Sequence, residues 1–331
     1  NKDTQRHRHT DRHTGNKETK EREGGGAKMK LTVKDSRTSA TLCEVAGQTV
    51  QDLKLAFVKQ QPKYRDINRV FLSTTPPQGK TRGTTLDYSV DLSKGLVKDG
   101  DVILFKYLPP QIGWRTVFFW EYFGPMLTFP IMYLHSVRVL CFGEEAAALP
   151  ITWVQHLMAA LYTLHFLKRV LESVFLHSFS KDTMPWTNLI KNVWYYYLFG
   201  ILIAYTGMHP FYTAPTCNLQ IYGGAVAFLV CMLINFFCHI KLQRLRKPGE
   251  RAYKIPYGFP FNLVSVPNYT FEILEWVSFT IAFNSFFGGL FTVAGAGQMT
   301  LWAIGKHRRY LTLFGDEYKK LRRKIIFPFL Y

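Results

Sequence analysis

The chain has 331 residues and carries 41 Lys and Arg against 23 Asp and Glu, a formal charge of +18 that alone would suit a nucleic-acid binder. Its 47% hydrophobic and 16% aromatic content argues against that class, because from Trp114 onward apolar residues gather into runs too long for most soluble folds. The basic excess is better read as orienting a membrane protein, with the lipid bilayer and no nucleic acid among its partners.

Residues 1–28 mix Lys, Arg, His, Thr and Glu with three consecutive glycines and have too few apolar side chains to offset the entropy of ordering, so a disordered tail is expected. No apolar leader precedes the first domain, so insertion is expected to rely on the first internal span. From Met29 the pattern alternates: MKLTVKD and TLCEV predict two strands joined by a polar turn at Ser36 to Ala40. Thr49 followed by Asp52 predicts a capped start for an amphipathic helix over Val50 to Gln60, and INRVFLS a further strand. Lys98-Asp99-Gly100 predicts a turn into VILFKYL. This order is that of a β-grasp fold, and the residues, TTLDYSV among them, resemble ubiquitin. The segment lacks a terminal Gly-Gly, so a fused ubiquitin-like domain is expected over 29–108.

After Pro109-Pro110, spans are expected near Trp114 to Val137, Ile151 to Leu176, Val193 to Gly207 and Ile221 to Ile240. Ile273 to Ile304 would run about 48 Å as one helix, longer than a ~30 Å hydrocarbon core, so two helices hinged at Gly288-Gly289 are expected. The fold class is then an α-helical multi-span membrane bundle of about six spans over 109–331, behind the N-terminal β-grasp domain. Lys181 and Lys191, Lys241 to Lys254, and Lys306 to Lys324 alternate with connections near Gly143 to Pro150, Met208 to Gln220 and Asn284 to Gly289 that hold no Lys or Arg. Both termini are therefore expected in the cytosol. The cysteines, Cys43, Cys141, Cys217, Cys231 and Cys238, show no CxxC pair and are read as free thiols, with no metal site expected.

Chemistry concentrates after Asn235, in NFFCHIKLQRLRKPGERAYKIPYGFPFNLVSVPNYTFEILEW. Arg244, Arg246, Lys247, Arg251 and Lys254 crowd a short loop that either holds phosphate through guanidinium forks or anchors spans at lipid head groups. Pro248, Gly249, Pro256, Gly258 and Pro260 impose an irregular backbone that a simple anchor does not need, and Asn268, Tyr269 and Glu272 lead into the next span. LRKPGE, the YxIPxG that follows, VSxPNYxxE and the tail KHRRYL…FPFL resemble the C-terminal signature of the steroid 5α-reductase family. Within it, the fused module with Gln111 and Glu121 is similar to the enoyl-CoA reductase branch. The resemblance covers Met29 to Tyr331.

That resemblance implies NADPH in a pocket between helices, without a Rossmann fold, contacted by Asn235, Arg246, Lys254, Asn268, His307, Arg308 and Tyr310. His239 departs from the acid that steroid reductases carry, and Lys254 from their frequent Arg. It also implies hydride transfer to C3 of a very-long-chain trans-2-enoyl-CoA and proton delivery to C2, the last step of microsomal fatty-acid elongation in the endoplasmic reticulum membrane. Other enzymes of that cycle are candidate partners. A phenol stays protonated at neutral pH, which suits Tyr269 to the proton delivery. Glu121 lies within an apolar span, where an acid is costly, and is expected to hold the thioester carbonyl while Gln111 helps orient it. Lys168, with Arg169, either snorkels to the cytosolic surface or serves the cofactor and CoA phosphates, and is kept among the catalytic candidates. Two alternatives stand beside this reading: a steroid or polyprenol reductase of the same family, and a non-catalytic paralogue that binds elongation enzymes.

Overall fold

The computed structural model describes residues 28–78, 83–86, 90, 92, 95–177, 183–245 and 253–328. Residues 1–27 of the expected tail, Arg246 and Asp87 to Ser89 of TTLDYSV lie outside the described residues.

The alternating N-terminal pattern becomes an antiparallel hairpin of β1 (Met29–Asp35) and β2 (Thr41–Gly47). At its turn the Asp35 carboxylate accepts from the amides of Thr38 at 3.0 Å and Arg37 at 2.8 Å, which hold its carboxyl below the usual carboxylate range. The helix α1 (Val50–Gln60) opens on the expected capping box: the Thr49 hydroxyl accepts from the Asp52 amide at 3.2 Å, and Asp52 accepts from the Thr49 amide at 2.9 Å. With β3 (Val70–Thr74), β4 (Thr85–Leu86) and β5 (Val102–Tyr107) the sheet runs β2-β1-β5-β3-β4, and its β1–β5 pair is parallel. Period-two alternation turns Leu31, Val33, Ile103 and Phe105 to one face, where they bury against Leu53 and Phe57 of α1.

The rest is mainly helical. A short ribbon of β6 (Gln111–Gly113) and β7 (Thr183–Pro185) lies at the entrance to α2 (Trp114–Ile131). Then come α3 (His135–Phe142), α4 (Glu144–Ala147), α5 (Trp153–Leu171) with a π-helical turn over Glu172–Leu176, α6 (Trp186–Gly207), α7 (Asn218–Arg244), α8 (Pro267–Phe283) and α9 (Phe286–Lys319). Phe129, Tyr162, Phe166, Phe228, Trp276 and Phe279 form the aromatic core. Leu140, Leu219, Val293 and Leu301 point outward, so the helices are apolar on the outside as well, as contact with lipid requires.

Among the described residues α7 and α9 are each long and apolar enough to cross a membrane, and α2 with α3 adds a third if the pair is one span. α8 has only 17 residues, while the buried polar residues of α5 and the Trp, Asn and Tyr residues early in α6 lower their hydropathy. Two expectations are corrected. The first span does not continue straight to Val137: α2 ends at Ile131, just past Pro130, and α3 leaves at 87°. The last hinge is at Asn284-Ser285, not Gly288-Gly289. Asn284 takes φ 46° and Ser285 caps α9, its hydroxyl accepting from the Gly288 amide at 3.1 Å. Both glycines lie inside α9. All five cysteines are free.

Candidate active site

A polar side chain inside an apolar bundle needs partners, since a buried group left unsatisfied costs about 1–3 kcal/mol. On α5 and its π turn, His165, Lys168, Arg169 and Glu172 follow the spacing that puts side chains on one helix face. Arg169, 6% exposed, joins three elements. Its Nη2 donates to the Tyr122 hydroxyl on α2 at 2.7 Å, its Nη1 to Glu172 Oε2 at 2.8 Å, and its Nε lies 3.9 Å from Glu272 Oε1 on α8. From α7, His239 Nδ1 stands 3.0 Å from Glu172 Oε1.

Lys168 Nζ donates to Asn235 Oδ1 at 2.5 Å and lies 3.4 Å from Glu172 Oε1. Asn235, fully buried on α7, donates in turn to the Asn268 carbonyl at 2.8 Å and to Glu272 Oε2 at 3.3 Å. Asn235 and His239 on α7, and Asn268 and Glu272 on α8, are each four residues apart, so two helical turns face the α5 cluster together. About one turn away His165 Nδ1 meets Glu275 Oε1 at 2.5 Å, both side chains buried. As the residue number rises on α5 from 165 to 169, its partner's falls on α8 from 275 to 272, so the two helices run in opposite directions.

Glu121 is buried at the edge of this network, with Asn192 of α6 near its carboxyl, while its Oε2 has no partner. Asn268 Oδ1 is likewise buried without one. Glu121 Oε2 and Asn268 Oδ1 are thus polar atoms without a partner at the border of a cluster that holds a lysine, an arginine and two further carboxylates. Asn268 Oδ1 can accept from a guest that bears an N–H or O–H.

The structure thus brings Lys168, Asn235 and Asn268 together, with Glu121 nearby. Snorkelling is excluded for Lys168 and Arg169, whose cationic ends turn inward to Asn235, Tyr122 and Glu172. Gln111 lies on β6, ahead of α2, and its side-chain amide donates to the Pro109 carbonyl at 2.8 Å. Tyr269, next to Asn268, turns the other way, its ring 4.6 Å from Lys306 Nζ and 6.3 Å from the Trp302 ring on α9.

His307 and Tyr310 also belong to α9, which packs on the segment returning to α8. His307 Nδ1 meets Ser265 Oγ at 2.6 Å, the same oxygen accepts from the Tyr318 hydroxyl at 2.7 Å, and Tyr310 stacks on Tyr318 with ring centroids 5.0 Å apart. Arg309 donates to the Tyr253 hydroxyl at 2.5 Å and Arg323 to the Pro256 carbonyl at 2.7 Å, pinning that segment on both sides of Lys254. Burial holds the Arg323 guanidinium below its ordinary range. Arg308 is exposed and Lys254 half-buried.

Sequence reasoning did not single out Tyr122, Glu172 or the His165–Glu275 pair. For the charged ones the signal was available: each is ionisable within an apolar run, and Glu172 follows Lys168 by four residues.

The family model described as 3-oxo-5-alpha-steroid 4-dehydrogenase matches residues 182–331. The very-long-chain enoyl-CoA reductase of Dictyostelium discoideum is 41% identical over 240 residues, covering 72% of this chain and 78% of its own. The trans-2,3-enoyl-CoA reductase-like protein of Homo sapiens is 32% identical over 315 residues, covering 91% of this chain and 84% of its own. Its Mus musculus counterpart is 31% identical over 313 residues, with the same shares.

Proposed function

The chain belongs to the steroid 5α-reductase family, alongside the very-long-chain enoyl-CoA reductases, and on that footing we propose that it reduces very-long-chain trans-2-enoyl-CoA to saturated acyl-CoA with NADPH. The observation that carries this reading is the buried network in which Lys168, Asn235, Asn268, Arg169 and Glu272 join α5, α7 and α8.

The residues fit the cofactor. Asn268 Oδ1, buried and without a partner, suits an amide N–H of its nicotinamide end, and the basic residues suit its phosphates. Asn235, Asn268 and Lys168 would hold the one end, and Arg246, Lys254, His307, Arg308 and Tyr310 the other. NADPH, when bound, supplies a hydride for C3 of the substrate. As the neutral acid, Glu121 donates to the thioester oxygen, on which charge develops as the C2=C3 electrons shift toward it. Tyr269 delivers the proton that C2 takes up once its phenol turns from Lys306 and Trp302 toward the substrate, and Gln111, at the entrance to α2, helps orient the carbonyl.

In this reading α2, α5, α6, α7, α8 and α9 are six spans of an endoplasmic reticulum protein with both termini in the cytosol. The N-terminal sheet and helix form a ubiquitin-like module, which other enzymes of the elongation cycle could contact. The basic residues gathered after α7 and along the C-terminal part of α9 support that orientation.

Microsomes carrying Tyr269→Phe are expected to lose enoyl-CoA reduction by roughly 10²- to 10⁴-fold while still binding NADPH. Undiminished turnover would remove Tyr269 from its role, and turnover of a 4-ene-3-ketosteroid instead of any enoyl-CoA would replace the substrate class.

A further inference from the structure

Hydride addition to an enoyl thioester drives charge onto the thioester oxygen, and an oxyanion is best held by two fixed donors. Glu121, as the neutral acid, supplies one. Gln111, expected to help orient the carbonyl, lies on β6 ahead of α2, its side-chain amide spent on the Pro109 carbonyl.

The residue placed to act instead is Tyr122. It is 2% exposed and follows Glu121 on α2. Its ring is held by Phe118, stacked at 5.8 Å between centroids, and by Tyr196 of α6, edge-on at 5.4 Å. Its oxygen accepts from Arg169 Nη2 at 2.7 Å, and the guanidinium carbon sits 4.7 Å from its ring centroid. A phenol has one hydrogen to give. With a lone pair taken by a cation, that hydrogen is left to donate, and the nearby positive charge makes it a stronger donor. Arg169 also carries the Glu172 and Glu272 contacts, so the orientation of Tyr122 is tied to the helices that hold Asn235 and Asn268.

Building on the enoyl-CoA reductase reading, the geometry points to Tyr122, oriented by Arg169, as the second donor to the thioester oxygen. Tyr122 keeps its proton throughout: the hydride goes to C3, the C2=C3 electrons move to the oxygen and return, and C2 takes its proton from another group. Tyr122 acts on the oxyanion alone, and Tyr269 stays free for the proton transfer.

The test uses the full chain purified in detergent. Wild-type turnover of a trans-2-enoyl-CoA with NADPH checks the reductase reading itself, and without turnover the present assignment falls with it. Given turnover, Tyr122→Phe is expected to lower kcat about 10²- to 10³-fold, leaving KM and the separately measured NADPH affinity in place. Tyr122→3-fluorotyrosine keeps the ring's shape while strengthening the donor, so it is expected to preserve thermal stability and KM and to change kcat. Unchanged kcat in Tyr122→Phe overturns the assignment. So does a Tyr122→Phe protein that has lost NADPH binding or thermal stability while the fluorotyrosine protein behaves as wild type, since Tyr122 is then packing alone.

Discussion

Deep in the helical region, His165 and Glu275 meet at 2.5 Å with almost no solvent exposure. Burying such a pair gains little overall, but removing one partner strands the other, at about 3–5 kcal/mol. His165→Leu is therefore expected to lower the stability of the detergent-solubilised protein by that order. The double variant His165→Leu with Glu275→Leu should recover much of the loss in a thermal melt. Equal melts for the single and double variants would show that the two do not depend on each other. At this scale Glu121, Asn235, Asn268 and Lys168 were legible in the sequence, because a polar residue in an apolar run stands out and VSxPNYxxE marks its place. Tyr122 was not legible: it sits in WEYFGP in a chain of 18 Tyr and 27 Phe, and only its contact with Arg169 distinguishes it. The direction of Tyr269 was equally hidden, since side-by-side residues on a helix differ by about 100° and packing decides which neighbour each meets.

At the scale of elements, two junctions carry testable consequences. The first is the start of α1. Thr49→Ala is expected to cost about 1 kcal/mol of the N-terminal domain's stability, read by denaturant unfolding. The Thr49 amide, with smaller help from the Thr49 hydroxyl and the Gln48 amide, holds the Asp52 carboxyl below its ordinary range. A carboxyl lowered on folding stabilises the fold above its unfolded pKa, and that contribution fades as pH falls through the lower, folded value. The Asp52→Asn protein should accordingly show a shallower loss of stability on acidification than wild type. The second junction is where α7 and α8 touch. A Cβ on Gly224 would come 2.7 Å from the Ala282 Cβ and 3.1 Å from the Ser278 carbonyl oxygen. Gly224→Val should therefore push the helices apart, cost about 1–3 kcal/mol and weaken NADPH binding, because Asn235 and Asn268 sit on those helices. Unaltered NADPH affinity would mean that the spacing is not needed by the site. The succession of strands along the chain and the capping box were readable because they rest on local chemistry, whereas the parallel pairing of β1 with the distant β5 does not. The break at Asn284-Ser285 was misread because a pair of glycines looks like a hinge, whereas an asparagine in the left-handed region followed by a serine cap made it.

For the whole molecule, the distribution of charge says more than its total of +18. The connection before α7 holds Cys217, exposed and far in sequence from any Lys or Arg cluster. If six spans set its side, an impermeant thiol reagent should label Cys217 in intact microsomes only after permeabilisation. Labelling before permeabilisation would invert the proposed topology. Hydropathy and length alone do not mark α5 or α8 as spans, since α5 carries polar groups that pair inside the bundle and α8 has only 17 residues. The most direct measurement of the central claim follows NADPH oxidation and product formation by the purified full chain with trans-2-enoyl-CoA substrates of several lengths. The account predicts one saturated acyl-CoA formed for each NADPH consumed, with the longer chains used. NADPH left unconsumed with every enoyl-CoA offered would contradict it.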